Sequence, residues 1–149
     1  VGVRYPEGGG GNYQTDKAQS RLKEGKDCTV ITYGTTINAV LEAAEGCEKE
    51  GISVEVLKLA TIAPLDFAAI EASCRKTGRV LVVEETSNHG CVADELFARL
   101  LQSGVMGHFC KQNLGDGYIC HGAMQDLYAL AGLNGQALRD KIREVCHEA

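Results

Sequence analysis

A few groups of residues in this 149-residue chain have the types and spacing to do chemistry. His89 and Cys91 stand two apart, between an apolar segment and one of helical spacing. A helix N-terminus lowers a thiol's pKa, and a nearby imidazole can take its proton, so Cys91 with His89 has the makings of a cysteine hydrolase. No supporting acid or oxyanion loop goes with them, and a cysteine packed beneath a helix explains the same placement. His89-x-Cys91, His108-x-Cys110 and Cys120-His121 carry zinc-ligand types, yet their spacings match no structural zinc site. Glu84 and Glu85 are adjacent carboxylates. Neighbours on a strand point to opposite faces, so they are no acid pair, and one of them suits a structural role accepting from a helix N-terminus. Arg4 lies in an extended segment before Pro6 and a run of glycines. A guanidinium there can grip a phosphate or carboxylate with two prongs; an exposed surface arginine is the plainer reading.

Phosphate-binding loops are absent: the chain has no GxGxxG and no GxxxxGK[ST]. Gly115-Asp116-Gly117 looks like the start of the magnesium motif of thiamine-diphosphate enzymes. That motif needs a later asparagine pair, and none follows. A loop turn is the better reading.

The elements that would position these residues follow from apolar spacing. Residues 1–16 read as an extended segment and glycine-rich linker, and 17–149 as one domain. A first short strand is predicted over Lys17 to Lys23. Cys28 to Tyr33 is β-branched and apolar on both alternations, a buried strand. After Gly34, Thr35 or Thr36 can cap a helix burying Ile37, Val40, Leu41, Ala44 and Cys47, which Gly51 stops. Ile52 to Leu59 is broken by Ser53, Glu55 and Lys58, which places it nearer an edge. Pro64 and Asp66 start a helix through Lys76. Arg79 to Glu84 is an uninterrupted apolar strand, central and covered on both faces. Then come a helix over Cys91 to Gln102, a weaker strand over Phe109 to Leu114, and two short helices, the second starting at Asn134.

This alternation predicts an α/β fold with a mostly parallel open sheet. The two most apolar strands, 28–33 and 79–84, should lie side by side, with chain order reversing between them. Ligands or partners of such sheets gather at the strands' carboxyl ends there. The candidates are Tyr33-Gly34-Thr35 and Glu84-Glu85-Thr86.

Composition narrows the class. The net charge is −5 and no Lys/Arg run occurs, so nothing drives general nucleic-acid binding. No apolar run approaches the ~20 residues that span a bilayer. Seven scattered cysteines, without a CxxC, argue against a disulfide framework and for a reducing, cytoplasmic setting. The chain begins with Val1 and reads as a piece of something larger.

Several segments together resemble a known family. Gly2-Val3-Arg4-Tyr5-Pro6 is similar to the opening of the last domain of 1-deoxy-D-xylulose-5-phosphate synthases. Residues 25–34, GKDCTVITYG, resemble the "GKDVTIVTYG" strand of transketolase-type C-terminal domains. Pro64-Leu65-Asp66, Val82-Val83-Glu84-Glu85, residues 114–122 ending in His121-Gly122, and Leu130-Ala131-Gly132-Leu133 fit later motifs in order. Glu7, Ala60, Ala63 and Gly115 depart from the pattern.

The resemblance implies a three-layer α/β/α fold: five strands, mostly parallel, with one antiparallel edge strand. It implies a thiamine-diphosphate and magnesium enzyme that condenses pyruvate with glyceraldehyde 3-phosphate, the cofactor being held by upstream domains. This domain would support packing in a homodimer and be silent alone. Arg4 would hold the substrate phosphate, while Tyr33, Gly34, Glu84, Glu85 and His121 would be structural or interface residues. A transketolase or a 2-oxoacid dehydrogenase beta subunit suits the middle segments equally.

Overall fold

A computed structural model describes residues 19–147. The expected linker 1–16 and Arg4 lie outside the described residues, as do positions 17 and 18 of the expected first strand. The elements run β1 (Gln19–Lys23), β2 (Cys28–Thr32), α1 (Ile37–Lys49), β3 (Val54–Leu59), α2 (Phe67–Thr77), β4 (Arg79–Val83), α3 (Val92–Gln102), β5 (His108–Gln112), α4 (Met124–Leu130) and α5 (Gly135–His147). They form one five-stranded sheet of order β1-β3-β2-β4-β5. β1 is antiparallel to β3, and the other neighbours are parallel. This is the expected three-layer α/β/α sheet with one antiparallel edge strand. β2 and β4 are paired at the centre, and chain order reverses between them.

Strand parity decides which helices cover which face. Val30, Val54, Val56, Leu81 and Val83 meet α1 and α5 through Val40, Ala44, Leu138 and Ile142. Ile31, Leu57, Val80 and Val82 meet α2 and α3 through Ile70, Leu96 and Leu100. Both cores are continuous because the central strands are apolar on both alternations.

β3 lies nearer an edge than β2 and β4, as its broken run implies: only β1 pairs along its outer side, and Glu55, which breaks the run, is wholly buried. Two local expectations are corrected. Neither Thr35 nor Thr36 caps α1 with its hydroxyl. Gly34–Thr36 forms a 3₁₀ turn, Thr36 Oγ donates back to the Tyr33 carbonyl at 2.9 Å, and Thr35 Oγ reaches Glu85 instead. α2 begins at Phe67, after Pro64 and with Asp66 as the flanking residue. The Asn134 start is well formed, since its Oδ1 accepts from Ala137 N–H at 2.8 Å. Among the described residues no helix is long and apolar enough to cross a membrane.

Glu55 explains why a carboxylate lies in the sheet interior. Parity turns it toward α2, where Lys76 Nζ and Ser73 Oγ donate to it. Arg21 of β1 lies 3.4 Å away. Thr29 Oγ joins Ser73 Oγ and Thr77 Oγ, each at 2.8 Å, so β1, β2, β3 and α2 share one polar cluster. Burial opposes the Glu55 charge, but hydrogen bonds from Lys76 and Ser73, aided by Arg21, outweigh it and hold its pKa below the ordinary value. The turn before β2 presses on the same place. A Cβ on Gly25 would sit 2.1 Å from the Glu55 nitrogen and the Val54 carbonyl carbon.

Two outcomes follow from this cluster. A carboxylate whose folded pKa is depressed stabilises the protein above its unfolded value near 4.5, and that contribution is lost as pH falls through the lower folded value. Glu55→Gln should therefore flatten the acid limb of urea-midpoint against pH, below about pH 4.5. Gly25→Ala must displace backbone and should cost about 1–3 kcal/mol in denaturation. Gly117→Ala, which meets nothing within 4 Å, serves as the neutral control.

Candidate functional site

The residues expected to matter converge at the carboxyl end of β2 and β4. Parity carries past the end of β4 and sends its two glutamates to opposite faces. Glu84 turns toward α3 and is fully buried. Its Oε2 accepts from the Tyr33 hydroxyl at 2.7 Å and from Val92 N–H at 3.0 Å. Its Oε1 accepts from Ala93 N–H at 3.1 Å. The free donors of a helix's first turn thus meet a carboxylate in the first position where the strand can supply one. Burial, then the bond to Glu84, pushes the Tyr33 hydroxyl well above the ordinary tyrosine range.

Glu85 turns to the other face and is exposed. It accepts from Thr35 Oγ and, at 2.9 Å, from the Tyr128 hydroxyl of α4. Burial of the ring, with Glu85 adding its charge, raises the Tyr128 pKa. Gly34 makes the intervening turn at φ +66°, a conformation that costs an L side chain energy. Tyr33, Gly34, Glu84 and Glu85 are therefore one assembly, straddling both faces of the switch point.

The loop after β4 is zipped to the loop after β5. Asn88 N–H donates to the Gly115 carbonyl at 3.2 Å, and Leu114 N–H to the Thr86 carbonyl at 3.0 Å. Lys111 Nζ donates to the Asn88 carbonyl at 3.2 Å and pairs with Asp94 at 2.6 Å. Asn88 Nδ2 donates to Asp116 at 3.2 Å, so the Gly115-Asp116-Gly117 turn serves as part of this seam.

This seam undoes the cysteine-hydrolase reading. His89 is exposed, and its Nε2 faces Asp116 at 3.6 Å. Cys91 is buried, and its thiol points to the Asn88 carbonyl at 3.6 Å. Burial, with Glu84 and Asp94 nearby, raises its pKa, the opposite of nucleophile activation. Among the described residues no group of three or more His, Cys, Asp or Glu side chains is placed to hold a metal ion. His121 lies in an exposed stretch, 116–126, which also carries Tyr118 at 93% exposure and Ile119. Sequence reasoning missed Lys111, Asp94, Tyr128 and Glu55. Their partners lie on other elements, and no local spacing signals them.

Comparison with known proteins places this architecture. A family model described as "Transketolase, C-terminal domain" matches residues 17–138. The chain is 32% identical to the 1-deoxy-D-xylulose-5-phosphate synthase of Chlorobium phaeovibrioides over 96% of its own length and 24% of that protein's. It is 42% identical to the pyruvate dehydrogenase E1 component subunit beta of Staphylococcus aureus over 63% of its length and 29% of that protein's. The chain thus spans about a quarter of the length of the curated relatives it matches. Among solved structures, a split-gene transketolase described as an inactive beta4 tetramer superposes with a TM-score of 0.74 and 26% identity, over 95% of this chain and 46% of that one. The transketolase of Campylobacter jejuni shares the fold, with a TM-score of 0.62 and 20% identity over 85% of this chain and 18% of that one.

The Glu84 cluster makes a measurable claim. Each buried donor left without an acceptor costs about 1–3 kcal/mol, so Glu84→Ala should lose about 3 kcal/mol or more of stability. Tyr33→Phe should lose about 1 kcal/mol alone and close to nothing in the Glu84→Ala background. Denaturation of the four proteins, with amide exchange at residues 92 and 93, reads both effects.

Proposed function

The chain belongs to the transketolase C-terminal domain family, and we propose that it closes a thiamine-diphosphate-dependent, 1-deoxy-D-xylulose-5-phosphate synthase-like transferase. The observation that carries this reading is the extent of the match. Similarity to the synthases runs over 96% of the chain, whereas similarity to the dehydrogenase beta subunits runs over 63%. The reaction joins pyruvate to glyceraldehyde 3-phosphate with loss of carbon dioxide, and thiamine diphosphate supplies the electron sink when bound. The cofactor and magnesium belong to upstream domains in this reading. Asp116, the motif-like carboxylate here, is engaged by Asn88 and His89 in the loop seam.

The domain's own part is architectural. Glu84 and Glu85 fix the strand ends, and the exposed 116–126 stretch with His121 offers a surface to the rest of the assembly, a homodimer of the full chain. The setting is cytoplasmic, in keeping with seven free cysteines. The partners are the upstream domains and a sugar phosphate, without nucleic acid or membrane. Residues 1–16 form the linker to the preceding domain, and Arg4 within it contacts the substrate phosphate.

The specific observation favouring a second reading is the higher identity, 42%, to a dehydrogenase beta subunit over 95 residues. Donor and acceptor assays on the full-length protein separate the two. Pyruvate consumed only with glyceraldehyde 3-phosphate supports the synthase. Pyruvate consumed with a lipoyl acceptor supports the beta subunit, and a ketose-phosphate donor without pyruvate supports a transketolase. In the synthase, Arg4→Ala removes a charge-assisted phosphate contact of about 1.5–3 kcal/mol. The Michaelis constant for the aldehyde should rise roughly 10- to 150-fold, with little change for pyruvate. An unchanged constant removes Arg4 from the site.

A further inference from the structure

β5 is the last strand of the sheet, and no strand pairs along its outer side among the described residues. His108 opens it and Cys110 follows two residues on. Residues two apart on a strand share a face, and here the side chains meet: Cys110 Sγ lies 2.9 Å from His108 Nε2. Both residues are half-buried, within reach of solvent. Cys110 borders the core under α1 and α5, and Arg79 of β4, the register partner of His108, falls on the same face by parity. His89 and Cys91 have the same spacing but lie in a loop, which leaves one exposed and the other buried.

A zinc ion needs more than these two ligands, and among the described residues no third His, Cys, Asp or Glu joins them. The pair does have the separation of a nucleophile from its base. An imidazole at this distance can take the S–H proton and leave a thiolate beside an imidazolium, and the thiolate is the reactive form. The other cysteines are placed differently. Cys28, Cys47, Cys74 and Cys91 are buried, and Cys146 is half-buried in the last turn of α5. Cys120 is exposed, but its sulfur makes no hydrogen bond among the described residues.

We propose that Cys110, with His108 as its base, is a modification site that exchanges with low-molecular-weight disulfides and carries a mixed disulfide. The Cys110 proton passes to His108 Nε2. The Cys110 sulfur attacks one sulfur of the small disulfide, a new S–S bond forms, and the original S–S bond breaks. The departing thiolate takes the imidazolium proton and leaves as a free thiol. Cys110 is oxidised as the departing sulfur is reduced, so the exchange balances without a further oxidant. A second small thiol reverses it by the same route.

Peptide mapping of the full-length protein decides this. The reduced protein is treated with oxidised glutathione at pH 6.5, where an ordinary thiol is only about 1% ionised, then quenched in acid and digested without reduction. The expected product is a glutathione adduct on Cys110 that dithiothreitol removes. It should form roughly 5-fold or more faster than the adduct on Cys120 of the same molecules, since the larger thiolate fraction outweighs its lower nucleophilicity. His108→Gln should slow Cys110 to the rate of Cys120 at pH 6.5. At pH 9.5, where solvent base replaces the imidazole, the variant should recover to within about two-fold of the unsubstituted protein. Cys110 reacting no faster than Cys120 or Cys146 overturns the proposal without recourse to any variant. A His108→Gln rate equal to the original at pH 6.5 also overturns it, as does a variant slow at both pH values, which would make His108 merely structural.

Discussion

A carboxylate with no access to water must find its donors within the fold, and Glu84 sets that constraint at the centre of this molecule. It sits where β4 ends, so whatever satisfies it is fixed relative to the middle of the sheet. The Tyr33 hydroxyl comes from the end of β2, and two backbone amides come from the start of α3. One side chain thereby sets the exit of β2, the exit of β4 and the entry of α3. No formal cation is needed, because the helix's own unpaired N–H groups carry the partial positive charge.

Glu55 applies the same constraint at the other end of the sheet, with a different solution. It faces the same side as Glu84 but meets α2, and its charge is met by Lys76, Ser73 and Arg21 rather than by a helix terminus. The face toward α2 and α3 is thus pinned by a polar contact at each end of an apolar interior. The opposite face has no buried carboxylate among the described residues. It relies on the apolar packing of α1 and α5, backed by surface ion pairs such as Arg143–Glu50 at 2.6 Å. Exposed pairs of that kind contribute little, so packing dominates there.

The division of labour is in keeping with the architectural part proposed for this domain. Its titratable groups at the switch point are committed to one another: Tyr33 to Glu84, Thr35 and Tyr128 to Glu85, Lys111 to Asp94. Groups so engaged fix loops in place. The exposed stretch 116–126 beside them holds a large aromatic in solvent, a feature of surfaces that pack against other protein.

What the sequence determined by itself is the order of elements and the central pairing of β2 with β4; the antiparallel first strand came only from the family resemblance. Apolar runs on both alternations can be buried only between two helical layers, and the motif order carried the family. Adjacency of Glu84 and Glu85 even foretold their opposite faces. Tertiary structure alone decided the partners. Glu55 reads in sequence as a blemish in a strand, and only the arrival of Lys76 and Ser73 from α2 makes it an anchor. Thr35 and Thr36 satisfy capping preferences, yet their hydroxyls are drawn away by Glu85 and by the strand end. Cys91 and His89 are close in sequence, but the loop seam turns one into the interior and leaves the other exposed. Local spacing encodes period and face; which polar groups meet across elements depends on how the layers dock.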